Sequence, residues 1–266
     1  MLMRCRLVTL IGLLAAAGWA AEPSGGPMVR ILKFAESPQF HMGKVTSRRI
    51  VHPEMGARKI TLNFSASEIG NEFSQHVHDG SDDTILCFRG EADLRQGDSR
   101  RRFRAGQAVF VPAGEIHGTI TTAAGTQMIS FQTPPDMALY TGARDSSKPG
   151  AAPPKGKITP GAVKYVEFGT REGVFVGPDA GARRIAVARR LLPPGQTMSI
   201  EAGEDAEHVI FVWRGALELT GPTAGRAEAK DAVFACGAAK LTLRNPSKEP
   251  AEFIHASTPP DAGRAK

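Results

Sequence analysis

Apolar and polar residues alternate with a period of two over short stretches of this chain. Ile60, Leu62 and Phe64 alternate with Thr61, Asn63 and Ser65, the pattern of a strand with one face in a core. The stretch TILCFRGEADL reads as a hairpin, two strands joined by a tight turn around Gly90, and HVIFVWRGALEL repeats it further on. Ala108 to Val111 forms another strand, stopped by Pro112 and Gly114. After the first twenty residues no stretch has the period of an amphipathic helix of ordinary length, and 29 glycines with 19 prolines supply frequent turns. The pattern predicts an all-β protein.

The strands occur in two similar sets. Gly56-Ala57-Arg58-Lys59-Ile60 recurs as Gly181-Ala182-Arg183-Arg184-Ile185, and Thr133-Pro134-Pro135-Asp136 as Thr258-Pro259-Pro260-Asp261, both at an offset of 125 residues. Arg89-Gly90 returns as Arg214-Gly215 at the same offset, and Ala108-Val109-Phe110 as Ala232-Val233-Phe234 at 124. Four matches in order along the chain imply duplication. Two domains follow, residues 29–141 and 161–266, joined by residues 142–160, whose Gly, Pro, Ser and Lys content is that of a linker. Two all-β units of this size predict sandwiches or barrels.

Composition adds the compartment. Of 266 residues 41% are hydrophobic and 23% charged, ordinary for a globular protein. Residues 1–20, MLMRCRLVTLIGLLAAAGWA, place Arg4 and Arg6 before an apolar run that ends in small residues, the layout of a cleaved signal peptide. Export to the periplasm or the medium is the expectation, and no later run is long enough to span a membrane. Cleavage lowers the formal charge from +6 to +4.

The densest basic run, Arg100, Arg101, Arg102 and Arg104, reads as a solvated hairpin edge, with an anionic polysaccharide as the functional alternative. No aromatic stacking pattern accompanies it, so nucleic acid is not expected as a partner. Cys87 and Cys236 read as buried free thiols, and His41 and His52 as surface residues.

Candidate chemistry begins at His76-Val77-His78. On a strand, residues two apart share a face about 6.5–7 Å from each other and can converge on one ion, which a helix would not allow. The intervals around them extend the set. Five residues separate Gly70 from His76, one separates His76 from His78, four lead to Asp83 and six more to Gly90. A second run, GQAVFVPAGEIH, sets Gly106, Pro112, Gly114 and His117 at intervals of five, one and two.

At these spacings the chain resembles the cupin family, whose two motifs carry glycine, two histidines, an acid and a glycine, then glycine, proline, glycine and histidine. It departs in having Asp83 where glutamate is usual and Thr121 where asparagine is frequent. The resemblance implies two tandem cupin-type jelly-roll barrels, a bicupin. It also implies one divalent ion in the first barrel held by His76, His78, Asp83 and His117. Asp82 is the alternative acid, but on a strand it points away from the face that Asp83 shares with Ile85 and Cys87.

Fe2+ or Mn2+ is the first expectation from the resemblance, with Ni2+, Cu2+ and Zn2+ open. By strand parity Cys87, Thr119 and Thr121 line the barrel near the ion. No further ligand is visible near the motifs to close the site, which favours catalysis over a structural metal. In the second half His76 is matched by Glu201, His78 by Gly203, Asp83 by His208 and His117 by Leu241. That barrel is expected to lack metal, with Glu201, His208 and His255 as an unorthodox alternative site.

What the resemblance implies for function is a metalloenzyme acting on a small molecule, first of dioxygenase type. Decarboxylase, isomerase or lyase chemistry and a non-enzymatic ligand-binding module are the alternatives. Individual catalytic residues are not identifiable from the motifs. A homo-oligomer is compatible with this reading, and two linked barrels can also pair within one chain.

Overall fold

In the computed structural model, which describes residues 26–221 and 223–260, the alternating segments are strands. The signal-like residues 1–20 lie outside the described residues. The first half contains β1 (Met28–Leu32), β2 (Gln39–Met42), β3 (Val45–Val51), β4 (Thr61–Ser67), β5 (Glu72–His76) and β6 (Asp82–Arg89). It continues with β7 (Glu91–Gln96), β8 (Ser99–Arg104), β9 (Gln107–Val111), β10 (His117–Thr121), β11 (Thr126–Thr133) and the short helix α1 (Met137–Tyr140). The second half contains β12 (Lys164–Glu167), β13 (Gly173–Val176), β14 (Ala186–Leu192), β15 (Thr197–Glu201) and β16 (Glu207–Arg214). It ends with β17 (Ala216–Thr220), β18 (Gly225–Glu228), β19 (Ala232–Cys236), β20 (Lys240–Arg244) and β21 (Ala251–Thr258).

Each half is a two-sheet jelly roll. In the first, a seven-stranded sheet ordered β12-β9-β6-β11-β4-β3-β2 faces a four-stranded sheet ordered β5-β10-β7-β8. In the second, a six-stranded sheet ordered β1-β19-β16-β21-β14-β13 faces one ordered β15-β20-β17-β18. The first strand of each half pairs with the other half: β1 lies antiparallel to β19, and β12 to β9.

The segment around Gly90 is not a hairpin. β6 pairs with β9 and β11 in the large sheet, whereas β7 pairs with β8 and β10 in the small one. Gly90 turns the chain from one sheet to the other at φ 73°, and a Cβ there would stand 2.3 Å from Thr126 Oγ1. Only glycine accepts both that dihedral and that approach. Gly215 makes the matching corner between β16 and β17.

Period-two alternation gives each barrel an apolar filling and leaves a third apolar layer between the barrels. Ile85, Cys87, Leu94, Phe103, Val109 and Met128 fill the first barrel, and Ile210, Val212, Leu217, Leu241, Leu243 and Phe253 fill the second. The opposite faces of the two large sheets pack on each other through Phe64, Phe88, Phe110 and Phe131 from one half and Phe211 and Phe234 from the other. Phe88 meets Trp213 edge-on, with ring centroids 4.3 Å apart. Burying each such ring stabilises the pair of barrels by about 1.5–3 kcal/mol.

The repeated Gly-Ala-Arg segments act in this junction. Glu207 accepts the backbone N–H groups of Arg58, Lys59 and Ile60 at 2.7, 2.9 and 3.1 Å. In the mirror position Arg184 donates to the Gly80 carbonyl at 2.7 Å.

Residues 142–160 lie on the first barrel. Asp145 accepts from Ser74 Oγ at 2.7 Å and from the Gly43 N–H at 3.1 Å. Further on, the Lys157 N–H donates to the Gly114 carbonyl, and the Ile116 N–H to the Lys157 carbonyl.

The basic run forms β8, the edge of the small sheet, as a solvated hairpin with β7. There Arg102 pairs with Asp93 and Glu91, both at 2.6 Å. His41 is exposed, but His52 is buried beside Arg49 and Glu54, contrary to expectation. It immediately follows β3, whose last residues face the junction between the barrels. Cys87 and Cys236, the cysteines among the described residues, are free; Cys87 is buried and Cys236 only half-buried.

Candidate metal centre

β5 and β10 are neighbours, with His76 and His117 as direct partners in the register. The register slips between His117 and Thr119, where Gly118 lies so close to β5 that a Cβ would stand 2.7 Å from the Phe73 carbonyl oxygen. His78 lies two residues beyond the end of β5, and its carbonyl accepts the Gly114 N–H at 2.8 Å. Asp83 comes from β6, opposite Gln132 on β11.

These strands bring His76, His78, Asp83 and His117 together, with one ligand atom from each lying within 4.8 Å of all the others. All four are buried, at 1–4% exposure. His76 Nε2 is 3.1 Å from His78 Nε2, and Asp83 Oδ2 is 3.4 Å from His117 Nε2 and 3.8 Å from His78 Nε2. Asp82 points elsewhere and accepts the Ala113 N–H.

The outer nitrogen of each ring has a partner. His76 Nδ1 faces the Ser74 carbonyl at 2.9 Å, His117 Nδ1 faces the Glu115 carbonyl at 3.1 Å, and His78 Nδ1 faces Asp136 Oδ2 at 2.7 Å. Acceptor oxygens at all three positions place the proton on Nδ1 and leave lone pairs on Nε2. Two Nε2 lone pairs 3.1 Å apart repel unless a cation or a proton lies between them. Ligand atoms about 2.1 Å from one ion at right angles lie about 3 Å from each other, which matches this spacing.

Burial, followed by the proximity of His117 and His78, holds His76 well below the ordinary imidazole pKa, so this ring is neutral as metal binding requires. Asp83 Oδ1 is buried without a hydrogen-bond partner. The donor set therefore fits one divalent ion. When bound, such an ion supplies Lewis acidity and open positions for a substrate.

Asp136 was not found by spacing. Its Oδ1 accepts the Ala138 N–H at the start of α1, while Oδ2 accepts from His78 Nδ1 and, at 2.9 Å, from Arg144 Nε. Burial raises its pKa, and the hydrogen bonds from His78 and Arg144 outweigh that, leaving the carboxyl below its usual value. Asp136 thus fixes the tautomer and orientation of His78.

Gln132 was also missed. It reaches the cluster from β11, outside both motifs, with Nε2 3.3 Å from His78 Nε2.

A small cavity of about 30 Å3 adjoins the cluster, lined among others by Phe73, Thr119, Ser65, Ser130 and Gln132. Of the three residues expected inside the barrel near the ion, all are buried: Thr119 lines this cavity, Cys87 lies in the apolar filling of the barrel, its thiol raised to about 12 by burial, and Thr121 lies outside the cavity wall.

In the second barrel the unorthodox set does not assemble. Glu201 is exposed and 3.4 Å from Lys240, while His208 Nδ1 and His255 Nε2 lie 2.9 Å apart in the interior. Burial lowers their pKa values to about 4 and about 3, that of His255 with a contribution from His208. Among the described residues no second group of metal-ligating side chains forms.

Residues 66–129 match the family of the cupin domain. No curated protein matches the chain in sequence. Among solved structures, the chain is similar to oxalate decarboxylase from Bacillus subtilis, studied for its Mn(II) centres, with a TM-score of 0.64 and 12% identity over 90% of this chain and 78% of that one. It is also similar to the bacterial pirin YhhW from Escherichia coli in complex with nickel(II), with a TM-score of 0.62 and 16% identity over 88% of this chain and all of the other. At these identities the likeness is one of fold.

Proposed function

We propose, from the premise that this chain is a two-barrel cupin, that its first barrel is the active site of a metal-dependent enzyme and that its second barrel is structural. The ligands would be His76, His78, Asp83 and His117. The observation that carries this reading is the 3.1 Å approach of two Nε2 atoms whose Nδ1 positions are already committed to acceptors.

The substrate is a small molecule that reaches the ion through its own oxygen atoms. A cavity of about 30 Å3, lined by Ser130 and Gln132 as well as by Phe73, Ile85, Met128 and Ile129, suits a short organic acid better than a flavonol-sized ring. Cleavage of a carbon–carbon bond in such an acid, as in a decarboxylase, is therefore the leading reaction. Dioxygenase-type oxidation is the second reading: among the described residues four side chains form the cluster, which leaves coordination positions that oxygen could take. Export is proposed from the layout of residues 1–20 alone.

Elemental analysis of the purified protein tests the metal site. One Mn or Fe per chain is expected, falling to background in His76→Ala and His117→Ala. Equal metal content in all three proteins would end the proposal. For the loaded protein, release of carbon dioxide from oxalate or malonate without oxygen uptake supports the first reading; stoichiometric oxygen consumption supports the second.

A further inference from the structure

Gln132 is 1% exposed, and only one end of its amide has a partner. Nε2 donates to His78 Nε2 at 3.3 Å, while Oε1 is buried without a hydrogen bond. Both the side chain and its neighbour Ser130 line the small cavity. Ser130 pairs across the sheet with Asn63, which accepts the Tyr140 hydroxyl on Oδ1 at 3.1 Å and leaves Nδ2 buried and unpartnered. Half-satisfied amides in a protein interior are costly and uncommon, and each calls for an explanation.

The second barrel lacks this wall. Where Gln132 pairs with Thr61 and Ser130 with Asn63, the matching pairs are Ser257 with Ala186 and His255 with Ala188. The amides occur only in the barrel that gathers the four ligands. There is also a direct conflict between Gln132 and a metal: the His78 lone pair that now accepts the Gln132 N–H is the one that an ion would take. Once it is taken, Gln132 Nε2 loses the hydrogen-bond partner it has here.

We propose that Gln132 positions the substrate, donating from Nε2 to an oxygen of a small carboxylate seated in the cavity, with Asn63 Nδ2, beside Ser130 on the same face of the sheet, as a second donor. The inference rests on the metal-site reading above. It makes a compact, oxygen-rich anion the preferred ligand and Gln132 the residue that selects it.

The test uses the full chain loaded with Mn(II), with oxalate as the probe and the Mn(II) electron paramagnetic resonance spectrum as the readout. Wild type is expected to show a saturable spectral change with oxalate. Gln132→Met, of similar volume, and Gln132→Ser, which copies the second barrel, should keep one Mn(II) per chain and need about tenfold or more oxalate for half-saturation. Asn63→Ala should weaken oxalate binding in the same direction, so the idea remains testable if a Gln132 variant does not fold. Unchanged oxalate affinity in the folded variants would overturn the inference. So would loss of Mn(II) from both Gln132 variants, which would make the residue a ligand, or no response of loaded wild type to oxalate. Failure of wild type to load any metal would instead remove the metal-site reading and this inference with it.

Discussion

Asp136 shows how far a single residue can act through another. Its carboxylate holds His78 Nδ1 at 2.7 Å and is itself held by Arg144 and the Ala138 N–H, so the ring has one tautomer and one orientation. Asp136→Asn keeps the volume and removes the charge, and the amide can present a donor where an acceptor is needed. Metal affinity is expected to fall about 10- to 100-fold with all four ligands intact. Competition against a fluorescent chelator measures this, and an affinity equal to wild type would show that Asp136 has no part in the site. His76, His78, Asp83 and His117 were legible through the motif spacing that the cupin resemblance supplied, although β5 ends at His76 and His78 comes from the loop that follows rather than from the same strand. Asp136 and Gln132 were not, since their roles depend on β11 lying beside β6, which no local spacing encodes. Asp136 did stand out as part of a repeat, but repetition marked the ancestry of the segment rather than its contact with His78.

Pairs of strands decide what the interior of each barrel contains. The alternation that predicted the strands was sound, but the hairpin reading at Gly90 and Gly215 failed because a glycine between two apolar runs serves a corner between sheets as well as a turn within one. The same β6–β11 pairing recurs as β16–β21, and there it sets His208 opposite Ser257 where the first barrel sets Asp83 opposite Gln132, with the His255 ring reaching His208 from two residues along β21. Both histidines are depressed in pKa by burial, to about 4 and about 3. In the folded protein they remain neutral while the unfolded chain takes up protons below its ordinary value of 6.5. Protons therefore favour unfolding, and stability should fall as pH drops from 6.5 toward 4, by about 2 kcal/mol per histidine at pH 5. The double variant His208→Leu/His255→Leu removes this slope. His76 titrates in the same direction in both proteins, so urea midpoints of metal-free wild type and variant at pH 7.5 and pH 5 isolate the pair. Equal losses in the two proteins would disprove the assignment.

At the scale of the whole molecule, the 125-residue offset made the duplication readable, but not the way in which the copies hold each other. β1 and β12 are strands of five and four residues, and nothing within them names a partner in the other half. The halves are joined by exchanged strands, by the Glu207 carboxylate on three N–H groups of the opposite Gly-Ala-Arg segment, by Arg184 on the Gly80 carbonyl, and by aromatic faces packed between the large sheets. The first barrel alone would lose β12 from the edge of β9 and expose Phe64, Phe88 and Phe110 on one sheet face. That apolar area and open strand edge invite association. A chain ending at residue 160 is therefore expected to aggregate or to pair with a second copy through the uncovered sheet, and co-expression with residues 161–266 should return it to solution. Analytical ultracentrifugation distinguishes these outcomes. A soluble monomer with undiminished metal binding would show that the second barrel is dispensable to the first, whereas rescue by the separate second half would make the junction the reason that a barrel without its own ligand set is retained in the chain.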